Sequence, residues 1–191
     1  ALYPLDRIER LLERTDRPVV VDEAYYEFSG ETSAGLLDRF DNLVVLRTFS
    51  KAFSLAGLRV GYALMNPALA TEVGKAKLPY NLNFITMAAA ETLLDRRMEL
   101  SAAIEEIKRE RDAMIPAMNA IRDVKAYPSR ANFILFETPF DPKAVFDGLL
   151  ADGLLVRNVS SYPMLGKALR VSVSTPEDNR RFLASLERVM E

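Results

Sequence analysis

The 191 residues include no cysteine and no histidine. Without cysteine there are no disulfides and no thiolate chemistry, and without histidine the commonest general base and metal ligand is absent. Proton transfer then falls to Lys, Tyr, Asp or Glu, and no metal site is expected. A large excess of either sign of charge is also lacking. The 27 acidic and 25 basic residues leave a formal net charge of -2, which offers no general attraction to nucleic acid or to an anionic membrane. Any anion the protein binds must be held by particular residues. No apolar run approaches the roughly 20 residues needed to span a bilayer. The start of the chain lacks the basic, apolar and small-residue order of a signal peptide, so the cytoplasm is the expected compartment. The opening Ala1-Leu2-Tyr3-Pro4-Leu5 has no initiator methionine and runs straight into a helical pattern, so the intact protein is expected to be longer.

What is present can build a core, since 49% of the residues are hydrophobic and 27% charged. Leu5, Ile8, Leu11 and Leu12 recur at helical spacing, and Pro18 then introduces the β-branched run Val19-Val20-Val21, ending at Asp22. A second apolar run, Leu43-Val44-Val45-Leu46, leads to Arg47-Thr48-Phe49-Ser50-Lys51. A third runs from Arg59 through Leu64 until Asn66-Pro67 stops it. Polar groups thus gather where strands end, the place where ligands bind in open α/β sheets. Helices are predicted from Asn83 to about Asp95 and from Glu99 to about Ile121, the latter long enough to link two domains. Beyond it the pattern predicts a strand at 132–137, a helix at 142–152, strands at 154–157 and 169–173, and a final helix that Thr175-Pro176-Glu177-Asp178 opens. The fold class is α/β, with domains at 1–98 and 99–191. There is no internal repeat.

Several residues near the predicted strand ends suit one chemistry. A lysine that forms a Schiff base must be neutral part of the time, and Lys51 stands beside residues that could favour this. Thr48, Ser50 and Arg59 suit a phosphate, through hydroxyl donors and a forked guanidinium. Gly57 and Gly61 would allow the backbone to come close around Arg59. Asp22 should lie at the same sheet edge, where its carboxylate could pair with a pyridinium nitrogen and so support an electron sink. Tyr25 could reach that ring's phenolic oxygen. Each residue also has an ordinary reading: a loop lysine, an arginine in an ion pair, a helix-capping aspartate, a half-buried tyrosine.

Taken together, Val21-Asp22-Glu23-Ala24-Tyr25-Tyr26-Glu27-Phe28 and Arg47-Thr48-Phe49-Ser50-Lys51-Ala52-Phe53-Ser54-Leu55-Ala56-Gly57-Leu58-Arg59-Val60-Gly61 resemble the core of the fold-type I aminotransferases, and among them the histidinol-phosphate aminotransferase family. The resemblance covers essentially the whole chain, but only the latter part of the family's length. It implies the end of a large pyridoxal-phosphate-binding domain, a mainly parallel sheet with flanking helices, followed by a small α+β carboxy-terminal domain that a long interdomain helix begins. It further implies pyridoxal 5'-phosphate as cofactor, with Lys51 as Schiff-base lysine and proton-transfer group. Asp22 would pair with the ring nitrogen, Tyr25 with the ring oxygen, and Thr48, Ser50 and Arg59 with the phosphate.

Arg157, in Leu154-Leu155-Val156-Arg157-Asn158, and Arg170, in Ala168-Leu169-Arg170-Val171-Ser172, stand at short apolar strands and need partners. The resemblance implies that they receive the anionic ends of histidinol phosphate and of glutamate or 2-oxoglutarate; a surface ion pair is the ordinary alternative for Arg157. Tyr80, Asn81 and Asn83 could line the imidazole pocket, contact a partner subunit or form an ordinary polar loop. A homodimer in the cytoplasm, serving histidine biosynthesis, is implied as well. The competing readings are an aromatic amino-acid aminotransferase, a phosphothreonine-type decarboxylase and a non-catalytic regulatory module of the same fold. The resemblance also implies missing parts of the cofactor cradle, so activity of these 191 residues alone is not expected.

Overall fold

A computed structural model describes residues 2–191; Ala1, with which the sequence begins, lies outside them. The chain divides into two compact units, one reaching Ala102 and the other spanning Ala103–Glu191.

In the first unit, α1 (Leu5–Leu12) is followed by β1 (Val19–Asp22), the one-turn α2 (Tyr26–Ser29), β2 (Leu43–Thr48), β3 (Gly61–Met65), α3 (Pro67–Ala76) and α4 (Phe84–Asp95). Strand β1 pairs with β2 in parallel, Asp22 opposite Leu46, and β2 pairs with β3 antiparallel, Thr48 opposite Gly61. The sheet is therefore mixed. A parallel third strand would need a crossover, whereas β2 and β3 are joined by a segment with only one 3-10 turn, Ala56–Leu58, which returns the chain at the same sheet edge. Because side chains alternate along a strand, Val19, Val21, Leu43 and Val45 pack with Ile8 and Leu12 of α1 in one apolar cluster. A second cluster, Phe49, Val60 and Ala90 with Phe53, Leu55, Leu58 and Leu82, supports the segment after β2. Within it Phe49 and Phe53 are 5.0 Å apart, centroid to centroid.

Two helices here start on capping side chains. Asn66 Oδ1 accepts from Ala68 N ahead of Pro67, and Asn83 Oδ1 accepts from Thr86 N at the start of α4. Asn66-Pro67, read from the sequence as a strand stop, is also the opening of α3, because proline at the first helical position loses no hydrogen bond.

Helix α5 (Arg97–Ala120) leads into the second unit, which continues with β4 (Lys125–Ala126), β5 (Phe133–Glu137), α6 (Pro142–Ala151), β6 (Arg157–Asn158), β7 (Ala168–Ser172) and α7 (Pro176–Val189). The strands form an antiparallel sheet in the order β4-β5-β7-β6. Its core joins Met114 and Met118 of α5, Ile134 and Phe136 of β5, Leu149 of α6, Leu169 of β7, and Phe182 and Leu186 of α7. Strand β6 is shorter than the predicted 154–157: after α6, Gly153 takes a φ of 77° and Leu154 N bonds back to Leu149 O, so the chain is still turning. Among the described residues no helix is long and apolar enough to cross a membrane.

Candidate cofactor site at the sheet edge

The parallel register of β1 and β2 brings their carboxyl ends to one edge. There an open cleft of about 270 Å³ is lined by Asp22, Ala24, Leu46, Arg47, Thr48, Ser50, Lys51 and Arg59. Of the sequence candidates, Asp22, Thr48, Ser50, Lys51 and Arg59 are thus brought together. Tyr25 adjoins the group, with its ring centroid 5.5 Å from Lys51 Nζ. A larger cleft of about 520 Å³, between α3 and β3, is lined by Leu37, Ala63, Leu64, Met65, Ala70, Val73, Gly74 and Lys77. It has one ionisable side chain and no partner for it, so the chemistry points to the smaller cleft.

Local hydrogen bonds shape each side of that cleft. Asp22 Oδ1 accepts from Ala24 N at 2.9 Å, an Asx turn that fixes the carboxylate at the end of β1. Ser50 N donates to Thr48 Oγ1 at 3.1 Å, folding the first turn beyond β2. Arg59 adopts a φ of 53°, a left-handed conformation that costs a non-glycine residue about 1–3 kcal/mol and collects at functional positions. One of its nitrogens, Nη1, donates to Ala56 O at 2.9 Å. No carboxylate forms a salt bridge with Arg59 or Lys51 among the described residues. Both are exposed and available to an anion or a carbonyl compound.

The glycines behave differently from the expectation. A Cβ on Gly61 would stand 2.6 Å from Arg47 O, while one on Gly57 would meet nothing within 4 Å. The close approach is therefore to Arg47 across the β2–β3 ladder, not around Arg59.

Beside the cleft is a buried network to which sequence reasoning assigned no role. Glu23, 9% exposed, accepts from Thr32 Oγ1, Ser33 N, Ser33 Oγ, and Arg47 Nε and Nη2, at 2.6–3.2 Å. The Arg47 guanidinium also lies 3.7 Å from the Tyr26 ring centroid. Burial works to lower the Arg47 pKa, but hydrogen bonds to Tyr62 and Glu23 outweigh it and hold the group above its ordinary value. Nearby Glu27 is held above the usual carboxylate range by burial, partly offset by a backbone hydrogen bond and by Arg47. The ion pair follows from the strand pairing: continuing the Asp22–Leu46 register by one residue sets Glu23 beside Arg47.

In the second unit Arg157 and Arg170 are direct cross-strand partners on β6 and β7. Like charges opposite one another repel, so an anion between them would relieve the pair. Arg170 lies 4.9 Å over the Phe133 ring, and its buried Nε finds no hydrogen-bond partner among the described residues. Asn83, one of the residues left open by the sequence, caps α4; Tyr80 is almost fully exposed and adopts a φ of 57°.

Comparison with known proteins agrees with this geometry. The sequence matches aminotransferase class I and II over residues 1–186. The chain belongs to that family. It is 37% identical over 190 residues to the histidinol-phosphate aminotransferase of Desulfitobacterium hafniense (strain Y51), covering 100% of this chain and 52% of the relative. The chain spans about half the length of the curated relatives it matches. Among solved structures, histidinol-phosphate aminotransferase from Sinorhizobium meliloti, in complex with pyridoxal-5'-phosphate, superposes with a TM-score of 0.87 at 26% identity. That match covers 100% of this chain and 54% of the other. L-threonine-O-3-phosphate decarboxylase from Porphyromonas gingivalis gives a TM-score of 0.87 at 26% identity, covering 98% and 59%. The fold is thus the latter part of a fold-type I aminotransferase. The cofactor of the class I and II aminotransferases is pyridoxal 5'-phosphate. The donor set in the cleft fits that compound: an amine for its aldehyde, a carboxylate for its ring nitrogen, and two hydroxyls with a guanidinium for its phosphate.

Proposed function

We propose that this chain forms part of a cytoplasmic, homodimeric aminotransferase that exchanges an amino group between histidinol phosphate and 2-oxoglutarate, in histidine biosynthesis. The observation that carries the reading is the convergence of Lys51, Asp22, Thr48, Ser50 and Arg59 on one cleft. Relatives at 36–41% identity named for this activity support it.

When bound, pyridoxal phosphate supplies an aldehyde that condenses with amines and a ring that accepts the electrons of a breaking Cα–H bond. The chain's residues supply the rest. Lys51 Nζ would hold the cofactor's aldehyde and, as a free amine, would serve as the base that takes a proton from the substrate Cα. Asp22, fixed by its Asx turn, would pair with the ring nitrogen. The Tyr25 hydroxyl would donate to the ring oxygen. Thr48, Ser50 and Arg59 would hold the phosphate. Arg157 and Arg170 bind the phosphate of histidinol phosphate in one half-reaction and a carboxylate of glutamate in the other. The absence of histidine is no obstacle, because the lysine is its own general base.

The test uses the intact protein that carries this chain. Borohydride reduction after addition of pyridoxal phosphate is expected to leave a stable adduct on Lys51 by peptide mass spectrometry. Lys51→Ala is expected to lose the adduct and at least about 10²-fold in transamination. Wild-type turnover in Lys51→Ala would refute the role given to that residue. A requirement for the phosphate on the amino donor supports histidinol phosphate as substrate, whereas carbon dioxide release would select a decarboxylase.

A further inference from the structure

Three residues assigned above to the cofactor each have a chain neighbour in the buried network. Asp22 adjoins Glu23, Tyr25 adjoins Tyr26, and Thr48 adjoins Arg47. At the strand ends, alternation sets Asp22 and Glu23, and likewise Thr48 and Arg47, on opposite sides, while Tyr25 and Tyr26 are neighbours at the start of α2. The Arg47 side chain is directed at Glu23, Thr32 and Tyr26, and the Glu23 carboxylate gathers donors from β2 and from the segment at Thr32 and Ser33. Glu23 N also continues the β1–β2 ladder by donating to Leu46 O at 2.8 Å.

We propose that the Glu23–Arg47 ion pair is a positioning device, locking the ends of β1 and β2 together so that the Asp22 carboxylate and the Lys51 amine keep a fixed separation around the cofactor ring. The inference rests on the reading of Lys51 given above. A buried carboxylate with so many donors has a narrow choice of position, since any displacement leaves charge desolvated and unpaired. Two guanidinium nitrogens, Nε and Nη2, converge on Glu23 Oε2, while Ser33 N and Oγ hold Oε1, and the face of the guanidinium rests on the Tyr26 ring. Groups that act on a bound ring must be held within about 0.5 Å of their working positions. An Asx turn restrains the Asp22 side chain relative to its own backbone, and the network adds a side-chain tie to the ladder that holds that backbone against β2 and the Lys51 side of the cleft. Glu23 thus acts through Asp22 rather than on the ligand.

A double-mutant cycle on the intact protein separates positioning from simple stabilisation. The dissociation constant of pyridoxal phosphate is measured by titration for the parent, Glu23→Gln, Asp22→Asn and the double variant. Glu23→Gln is expected to weaken binding on the order of tenfold in the parent background and less than about twofold in the Asp22→Asn background, the non-additivity of groups acting as one. Equal factors in the two backgrounds, or no weakening in the parent, would overturn the proposal. Should Glu23→Gln fail to fold, Thr32→Val decides by the same criterion. It removes one donor from the same carboxylate and is expected to give a smaller weakening that vanishes with Asp22→Asn. Absence of a borohydride-stable adduct on Lys51 in the parent overturns the site reading and this inference with it. An adduct accompanied by an additive cycle overturns this inference alone.

Discussion

A Cβ built on Gly61 would stand 2.6 Å from the Arg47 carbonyl oxygen and 3.5 Å from Thr48 Cα. Both contacts are with backbone, which cannot swing aside like the end of a flexible side chain, so Gly61→Ala has to push β3 away from the end of β2. Overpacking of this kind costs about 1–3 kcal/mol. Because the strain falls beside Thr48, the variant is expected to lose pyridoxal phosphate affinity as well as stability, read by denaturant unfolding and by cofactor titration. Gly57→Ala is the control. Its new methyl meets nothing within 4 Å, and its stability is expected to stay within about 0.5 kcal/mol of the parent. The two glycines look alike in the motif and differ only in what passes behind them. Removing Arg47 belongs to another class of change, since it leaves the Glu23 carboxylate buried without its cation, a loss of about 3–5 kcal/mol. For that reason Glu23→Gln, which keeps an acceptor in place, is the better probe of the pair.

Between elements, Asp152 ties the end of α6 to α7 by accepting from Ser185 Oγ and Arg188 Nη2. The Ser185 hydrogen bond first, and Arg188 next, hold the Asp152 carboxyl below its usual value of 3.8. A depressed folded-state pKa contributes stability that is present above the unfolded value and lost as pH falls through the folded one. Asp152→Asn is therefore expected to lower Tm at neutral pH and to lose less Tm than the parent on acidification below about pH 4, checked by thermal melts across pH. Asn83→Ala, which removes the α4 cap, is expected to cost about 0.5–2 kcal/mol. Elements with such local signals were legible in the sequence. Strands β1 and β2, the Thr175 opening of α7 and the cluster around Lys51 follow from apolar runs, capping residues and strand ends. Helix α3 was not legible because Asn66-Pro67 serves both as a stop and as a start. The overlong reading of β6 arose because Leu154, Leu155 and Val156 form an apolar run whose backbone is still leaving α6. The Glu23–Arg47 pair required the β1–β2 register, which no single segment displays.

Among the described residues, each unit has apolar clusters of its own. The clusters around Leu43 and around Phe49 draw on residues up to Ala90, and the third begins at Ile107. The long helix that leads from one unit to the next was legible in the sequence, whereas which strand of the first sheet runs antiparallel was not, since strand direction depends on how the chain returns rather than on side-chain pattern. Separate clusters make damage to one core a local event. Phe136 is fully buried, with its ring 5.9 Å from that of Phe182 in an edge-on contact, so Phe136→Ala removes a large apolar group from the centre of the β5–β7 sheet. A cavity of this kind costs about 3–5 kcal/mol, a large share of the roughly 5–15 kcal/mol that holds a typical domain together. Amide hydrogen exchange is the measurement that resolves where the loss falls. Protection is expected to drop in β5, β7 and α7 while the β1 and β2 amides, and with them the cleft around Lys51, keep theirs. Equal loss in β1 and β2 would show instead that the two cores open as one cooperative unit.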